Sequence, residues 1–514
     1  MSVNQKSNKL LFIILIIVLA IPTFFLMLRY GIFSMQDFHL FRLVEFDKCV
    51  KILQLPCRWA YDSGAGYGEP VFNFYGQFVY WVGEIFHLIS FSEIDSIKLV
   101  FITSFIGSAV GMFFLSRKVW KNDLSALVSS IIYLYAPYRA VDVWVRGALP
   151  EAFSFVFFPL IILAIENYLE TSKRKHLLLF SLLFSLLIIN HNLSVILFAP
   201  FLIIWIIFRF LQIRKIRPIL ELLIAGIFSG FLSAFYLLPV VFESKFVGIS
   251  DTTTGVYDWR ANFVTIYQLF ISRFWGYGGS TWGSDDGLSL SIGQIQWIIP
   301  LIAFATVLIK KRLNKETLTF FVLVLIGLFG LFLTHNKSTF IWNNLAFMKY
   351  IQFPWRFLAV VTFALALASG FFVKQFNNRK NQLLVTFGII VFAIALNFNF
   401  FREDIWYKVK DSDLETGAKW DEARFSSIND YWPDFGHKIP DKISDGTYIN
   451  YFPGWNHRTD KQSLVSYAPK NGLILAKGAV FRDTPVRSLG NSISLISLVI
   501  WIIVFVKLKH KRSL

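Results

Sequence analysis

The chain alternates long apolar runs with short charged turns, and the runs dominate. Twelve have the length and uniformity of membrane helices: about 10–29, 97–116, 123–137, 150–168, 177–192, 193–210, 219–242, 290–309, 317–334, 354–373, 382–400 and 488–506. At ~1.5 Å of rise per residue, about 20 apolar residues cross the ~30 Å hydrocarbon core. A further run, VFNFYGQFVYWVGEIFHLISF at 71–91, is aromatic but interrupted by Asn73, Gln77, Glu84 and His87.

The basic residues decide how that run is placed. If 71–91 lies along the surface, five clusters fall on the side of the N-terminus: Arg117/Lys118/Lys121, Lys173/Arg174/Lys175, Arg214/Lys215/Arg217, Lys310/Lys311/Arg312 and Lys507/Lys509/Lys511/Arg512. Counting it as a span would throw every later cluster outward, against the retention of Lys and Arg in the cytoplasm. The expectation is an all-α polytopic protein of the plasma membrane with about twelve transmembrane helices. Both termini are cytoplasmic, and 71–91 is an interfacial or re-entrant helix. Lys6 and Lys9, then Leu10–Leu28 without a small-residue cleavage motif, read as a retained signal anchor.

This topology leaves outward segments at about 30–96, 138–151, 243–289 and 401–487. The last is polar and turn-rich, with β-prone pieces at Thr447–Phe452, Ser463–Tyr467 and Leu473–Ala476. It predicts a small, largely β extracytoplasmic domain, between a membrane domain over 1–400 and a final helix with a basic tail over 488–514. Gly107/Gly111 and Gly226/Gly230 form two GxxxG pairs, a weak signal of close helix packing.

Composition agrees. Hydrophobic residues make up 55% and charged residues 16%, with a mean hydropathy of +0.55; soluble domains carry about 25% charged residues. The net charge of +17 sits in the turn clusters, so it marks topology and not nucleic-acid binding. Cys49 and Cys57 are eight apart in one loop, as a local disulfide or as two free thiols. No nucleotide, zinc-protease or serine-hydrolase motif occurs. GYGGSTWGSDDG at 276–287 reads as a flexible loop, and its adjacent Asp285 and Asp286 are weak grounds for a cation site. No metal or cofactor is expected.

The chemistry-bearing residues gather at outward helix ends. Asp37, His39 and Arg42 follow the first span, and Arg139, Asp142, Arg146 and Glu151 follow the third. His191 and Asn192 end the fifth, Glu243 ends the seventh, and Trp355 and Arg356 open the tenth. Ionisable groups at membrane depth usually face a cavity or one another. An outward cavity of acids and arginines suits a lipid phosphate, whose oxygens match the guanidinium fork. Each residue also has a plain reading. Arg139, Arg146 and Arg356 fit interfacial anchors, Asp142 and Glu151 fit their structural counter-ions, His191 fits a satisfied helix end, and Asp37 fits a helix cap.

Several stretches carry a family resemblance: QDFHLFR at 36–42, GEPVFNFYGQFVYW at 68–81, APYRAVDVWVRGALPEA at 136–152, INHN at 189–192, QLFISRFWGYG at 268–278 and IQFPWRF at 351–357. With YFPGW at 451–455, GLI at 472–474 and SLISLVIW at 494–501, the chain resembles the bacterial membrane proteins called "6-pyruvoyl-tetrahydropterin synthase-related" and their YfhO-type relatives. A first span, an outer loop opened by an acid, and an interfacial aromatic helix resemble the GT-C fold of membrane glycosyltransferases. The pterin-synthase name implies no activity, since no soluble pterin site is present. The GT-C resemblance implies transfer of a sugar from a polyprenyl-phosphate donor to a lipid or glycan acceptor of the envelope, on the extracytoplasmic face. In that fold the first-loop acid is the catalytic base or a metal ligand, which implies Asp37 here, with His39 beside it, and inversion at the sugar carbon. Asp-Phe-His stands where some metal-dependent members carry Asp-x-Asp, which leaves metal out. Substrate binding then falls to Arg139, Asp142, Arg146, Glu151, His191, Asn192, Glu243, Trp355 and Arg356. The alternatives are a non-enzymatic flippase of lipid-linked sugars or an accessory envelope-assembly protein. A transporter predicts broken helices with charge at mid-membrane, whereas mid-span positions here are almost wholly apolar.

Overall fold

The computed structural model describes residues 3–33, 37–281, 285–311, 313–425, 431–435, 442–458, 464–465 and 471–510. The expected runs are all helical. They are α1 (Val3–Phe24), then, after a first loop holding α2 (Asp37–Lys51), α3 (Val71–Phe74) and α4 (Phe78–Leu88), the series α5 (Glu93–Trp120), α6 (Asp123–Leu134), α7 (Pro137–Ala140), α8 (Leu149–Thr171), α9 (Arg174–Asn190), α10 (Asn192–Ile213), α11 (Ile216–Leu232) and α12 (Ala234–Glu243). There follow α13 (Ile266–Phe270), α14 (Gln294–Lys310), α15 (Lys315–Thr334), α16 (Thr339–Asn344), α17 (Leu358–Lys374), α18 (Arg379–Asn397), α19 (Gly417–Phe425) and α20 (Pro485–His510).

Among the described residues, eight helices are long and apolar enough to cross a membrane, or up to ten when two bent pairs each count once. The bent pairs are α6 with 137–145, at 48°, and α11 with α12, at 73°. The other two expected runs, α9 and α14, have 17 residues each and reach about 26 Å. At the basic end the turns are tight. Lys121, Ser172, Arg214 and Lys311 each take the left-handed conformation and donate their N–H to the carbonyl four residues back, closing α5, α8, α10 and α14.

α17 is the central helix, 89% buried, packed on α6 and α15; α20 is peripheral at 11%. The break after α6 frees carbonyls inside the bundle, and amides of neighbouring helices satisfy them. Gln296 donates to Tyr135 O at 3.2 Å, and Asn397 donates to the same oxygen at 2.9 Å.

The 71–91 run is divided into two short helices. The 11 residues of α4 span only about 16 Å, with Tyr80 and Gly83 buried and Ile85 and Leu88 exposed. Its start is clamped against the end of α9: Gln77 N donates to Ile189 O at 2.9 Å, and a Cβ on Gly76 would lie 1.8 Å from Asn190 O. Only glycine fits there.

Residues 401–487 return to the first loop. β1 (Ile32–Phe33) pairs antiparallel with β2 (Trp406–Tyr407), and Trp420 of α19 packs on Phe41 of α2 with centroids 4.8 Å apart. Five short strands follow: β3 (Tyr448–Asn450), β4 (Trp455–Arg458), β5 (Leu464–Val465), β6 (Leu473–Leu475) and β7 (Ala479–Phe481). β3 pairs with β6, and β4 lies between β5 and β7. Their apolar core includes Trp59 and Phe74 of the first loop, so the segment does not have its core to itself. A disulfide joins Cys49, in the last turn of α2, to Cys57 in the loop that follows. Residues 252–274 and 336–353 form a rim beside the helix ends, with Trp259 stacked on Trp342 at 5.3 Å. Val256, Ile266, Tyr267, Phe340, Phe347 and Tyr350 are exposed on it.

Candidate functional site

The loop-bearing end holds a buried charge network where α7, α8, α10 and α17 meet. α7 continues into a π-turn at Val141–Val145, a widened geometry frequent at functional sites. Gly147, with φ 56°, then turns the chain into α8. That path brings Tyr138, Asp142, Arg146 and Glu151 together. Arg146 pairs with Asp142 and, at 2.9 Å, with Glu151; Tyr138 donates to the other Glu151 oxygen at 2.6 Å. Arg356 approaches Glu151 at 3.7 Å and donates to Ile351 O and Gln352 Oε1, both at 2.8 Å. Gln352 takes φ 66° and donates onward to Thr252 O, tying the rim to the site.

Aromatic faces line this network. Arg146 lies over the Trp355 ring at 4.6 Å, and Trp355 stacks on Phe353 at 4.7 Å. His191 contacts Ser194 at 2.7 Å and feels the charges of Glu151, Arg356 and Arg146. Asn192 opens α10 next to it, half-buried.

Two candidates at the same depth point elsewhere. Arg139 is fully buried and donates to Ala152 O at 2.7 Å and to Ser104 O and Ser108 Oγ at 3.3 Å, with its guanidinium 4.3 Å from the Phe155 ring centre. It pins α7 to α5 and α8. Glu243 belongs to a second cluster, accepting from Asn73 and from Arg487 Nε, both at 2.8 Å, and from Thr484. Arg58 joins it through Asn73 at 3.3 Å and Asn491 at 2.9 Å. This latch binds the first loop, the end of α12 and the start of α20.

On α2, the Asp37 side chain lies outside the described residues; its backbone opens the helix. His39 is buried, with both ring nitrogens engaged. Nε2 donates to the Gly147 carbonyl and Nδ1 accepts from Tyr80 OH at 2.9 Å. A carbonyl only accepts, which assigns the proton to Nε2. Burial first, then the Arg42 charge, pushes His39 down to about 3, so the ring is neutral. It holds Tyr80 in place.

Arg42, which the sequence reading set beside Asp37 and His39 but took as structural, stands out in the structure. Its guanidinium lies between the Phe38 ring, at 3.8 Å, and the Tyr75 ring, at 3.9 Å. Tyr75 thus carries Arg42 on its ring and also feels the charges of Arg356 and Arg146. A sequence signal existed: Phe38 precedes Arg42 by four residues, the spacing that stacks neighbours on a helix. Asp286 accepts from Gln268, at 2.5 Å, and from Ser280 and Thr281, both at 2.9 Å, as in a closed loop.

Among solved structures, the chain is similar to the cryo-EM structure of the arabinofuranosyltransferase AftD from mycobacteria. The identity is 12% and the TM-score 0.48, over 77% of this chain and 26% of that one. The chain therefore spans about a quarter of that protein's length. No curated protein sequence matches it. The model of one family does, that of the bacterial membrane protein YfhO, over residues 52–509; the chain belongs to that family.

Proposed function

We propose that the protein is a membrane glycosyltransferase that moves a sugar from a polyprenyl-phosphate donor to an acceptor of the envelope, working on the extracytoplasmic face. The observation that carries this reading is the gathering of Arg146 and Arg356 on Glu151 at the end of the helix bundle, with Arg42 on the neighbouring Tyr75 ring. Guanidiniums at headgroup depth suit a lipid phosphate leaving group, and the apolar helices below suit its tail. Two features support placing that end outside. The basic clusters lie at the opposite end, and the first loop carries a disulfide, which persists in oxidising compartments.

In the proposed step, an acceptor hydroxyl attacks the anomeric carbon while the bond from that carbon to the phosphate oxygen breaks. The hydroxyl proton passes to a carboxylate, and the polyprenyl phosphate departs with the bonding electrons. Asp142 and Glu151 are committed to Arg146, Arg356 and Tyr138, and the proposed base is Asp37, the first-loop acid to which the GT-C resemblance points.

Purified full-length protein in nanodiscs, given labelled polyprenyl-phosphate sugars and envelope acceptors, should transfer label. Asp37→Asn should lower the rate roughly 100-fold or more, the range of general-base contributions. Equal rates for the two proteins would remove Asp37 as base. The bends after α6 and α11 favour a second reading as a flippase, since broken spans recur in transporters. Movement of lipid-linked sugar across liposomes without any transfer would select it.

A further inference from the structure

Arg42, Arg146 and Arg356 are not equivalent, and their partners separate them. Arg146 is neutralised by Asp142 and Glu151. Arg356 shares Glu151 and holds a backbone carbonyl and Gln352. Arg42 has no carboxylate within ion-pair distance among the described residues, although it is only 4% exposed. Its Nη1 is buried without an acceptor.

The fork is also held still. Phe38 and Tyr75 enclose its plane at 3.8 and 3.9 Å, and the Tyr75 and Tyr80 phenols lie within its electrostatic reach. Tyr80 is fixed by His39, and His39 by the Gly147 carbonyl. A narrow cleft lined by Phe38, Arg42, Glu69 and Tyr431 runs beside it. A desolvated guanidinium with no carboxylate in ion-pair contact is unfavourable, and an anion at this position removes the penalty. A rigid fork next to phenol hydroxyls matches a ligand with several oxygens better than it matches one point charge.

We infer that Arg42 is the anion-binding residue of this site and that it takes a phosphate ester. The source we name, the phosphate of a lipid-linked donor, rests on the transferase reading above; the anion site itself does not.

The test uses full-length protein in neutral phosphatidylcholine nanodiscs, with phosphorus NMR line widths and thermal midpoints as readouts. Three probes are compared: a polyprenyl phosphate, inorganic phosphate, and phosphatidylglycerol built into the disc. Wild type should bind the polyprenyl phosphate saturably. Arg42→Gln should weaken it at least 10-fold, Arg42→Lys should fall between the two, and Arg260→Gln, on an exposed loop, should match wild type. Should Arg42→Gln fail to fold, Arg42→Lys and Tyr80→Phe, which frees the fork, carry the comparison. Unchanged polyprenyl-phosphate affinity in folded Arg42 variants overturns the inference. Arg42-dependent binding of inorganic phosphate or phosphatidylglycerol, as tight as that of the polyprenyl phosphate, keeps the anion site and overturns the lipid-donor source. Arg42-dependent binding without sugar transfer would sink the transferase reading alone. Transfer at wild-type KM for the donor by Arg42→Gln would sink this one alone.

Discussion

Glu151 shows how tightly the site is interlocked, since one buried carboxylate answers two arginines and a phenol. Removing one side of a buried ion pair strands the other, at a cost of about 3–5 kcal/mol. Glu151→Gln should therefore destabilise the purified protein by that order in unfolding titrations in bicelles. Tyr138→Phe, which deletes a single hydrogen bond, should cost about 1 kcal/mol. His39 gives the site an acid limit. Between about pH 6.5 and 3, the unfolded chain holds a proton on this residue that the folded chain does not. Stability is thus complete above pH 6.5 and declines on acidification, by up to about 1.4 kcal/mol per pH unit. Thermal midpoints measured from pH 7.5 to 4.5 should fall more steeply for wild type than for His39→Gln. At this scale the sequence revealed depth but not direction. Asp142, Arg146, Glu151, His191, Trp355 and Arg356 converge, whereas Arg139 and Glu243, equally near their helix ends, turn to other neighbours. Arg42 was hidden for a different reason, because a sequence does not display the absence of a partner.

The elements were more legible, because apolar length is written into every span. The break near 233 fell inside a run that looked continuous, and the helix after the break near 135 occupies residues that the sequence suggested as an outward loop, since the amides and serines that support the breaks are distant or unremarkable in composition. The two kinds of glycine were equally indistinct. Gly76→Ala would drive a methyl group into Asn190 O and should unseat α4 from α9, abolishing a monodisperse chromatographic peak. Gly230→Ala, with nothing within 4 Å, should behave as wild type despite its GxxxG pattern. The rim differs from the aqueous loop that the sequence suggested at 243–289. Large apolar side chains left in water forfeit about 1.5–3 kcal/mol each, and lipid at the adjoining helix ends can cover them. Cysteines placed singly at Ile266 and Phe347 and spin-labelled in nanodiscs should be accessible to oxygen and shielded from a polar relaxant. A cysteine at Ala418 should show the reverse.

Over the whole molecule, the order of parts was visible and their mutual dependence was not. The first loop, residues 401–487 and the start of α20 share one apolar core and one latch, joining residues as distant as Arg58 and Asn491. Fold class follows from composition and run length, but such joints rest on single residues scattered over the chain. The latch has a consequence for how the protein is made. Glu243 enters the membrane region long before its partners Thr484 and Arg487 leave the ribosome. Over that interval the nascent chain carries a carboxylate without its counter-ion, and only the start of the last helix supplies it. A chain stopped after residue 483 should be recognised as unfinished and degraded by membrane proteases, seen as a shortened half-life in pulse-chase labelling. Supplying residues 484–514 as a separate peptide should restore it.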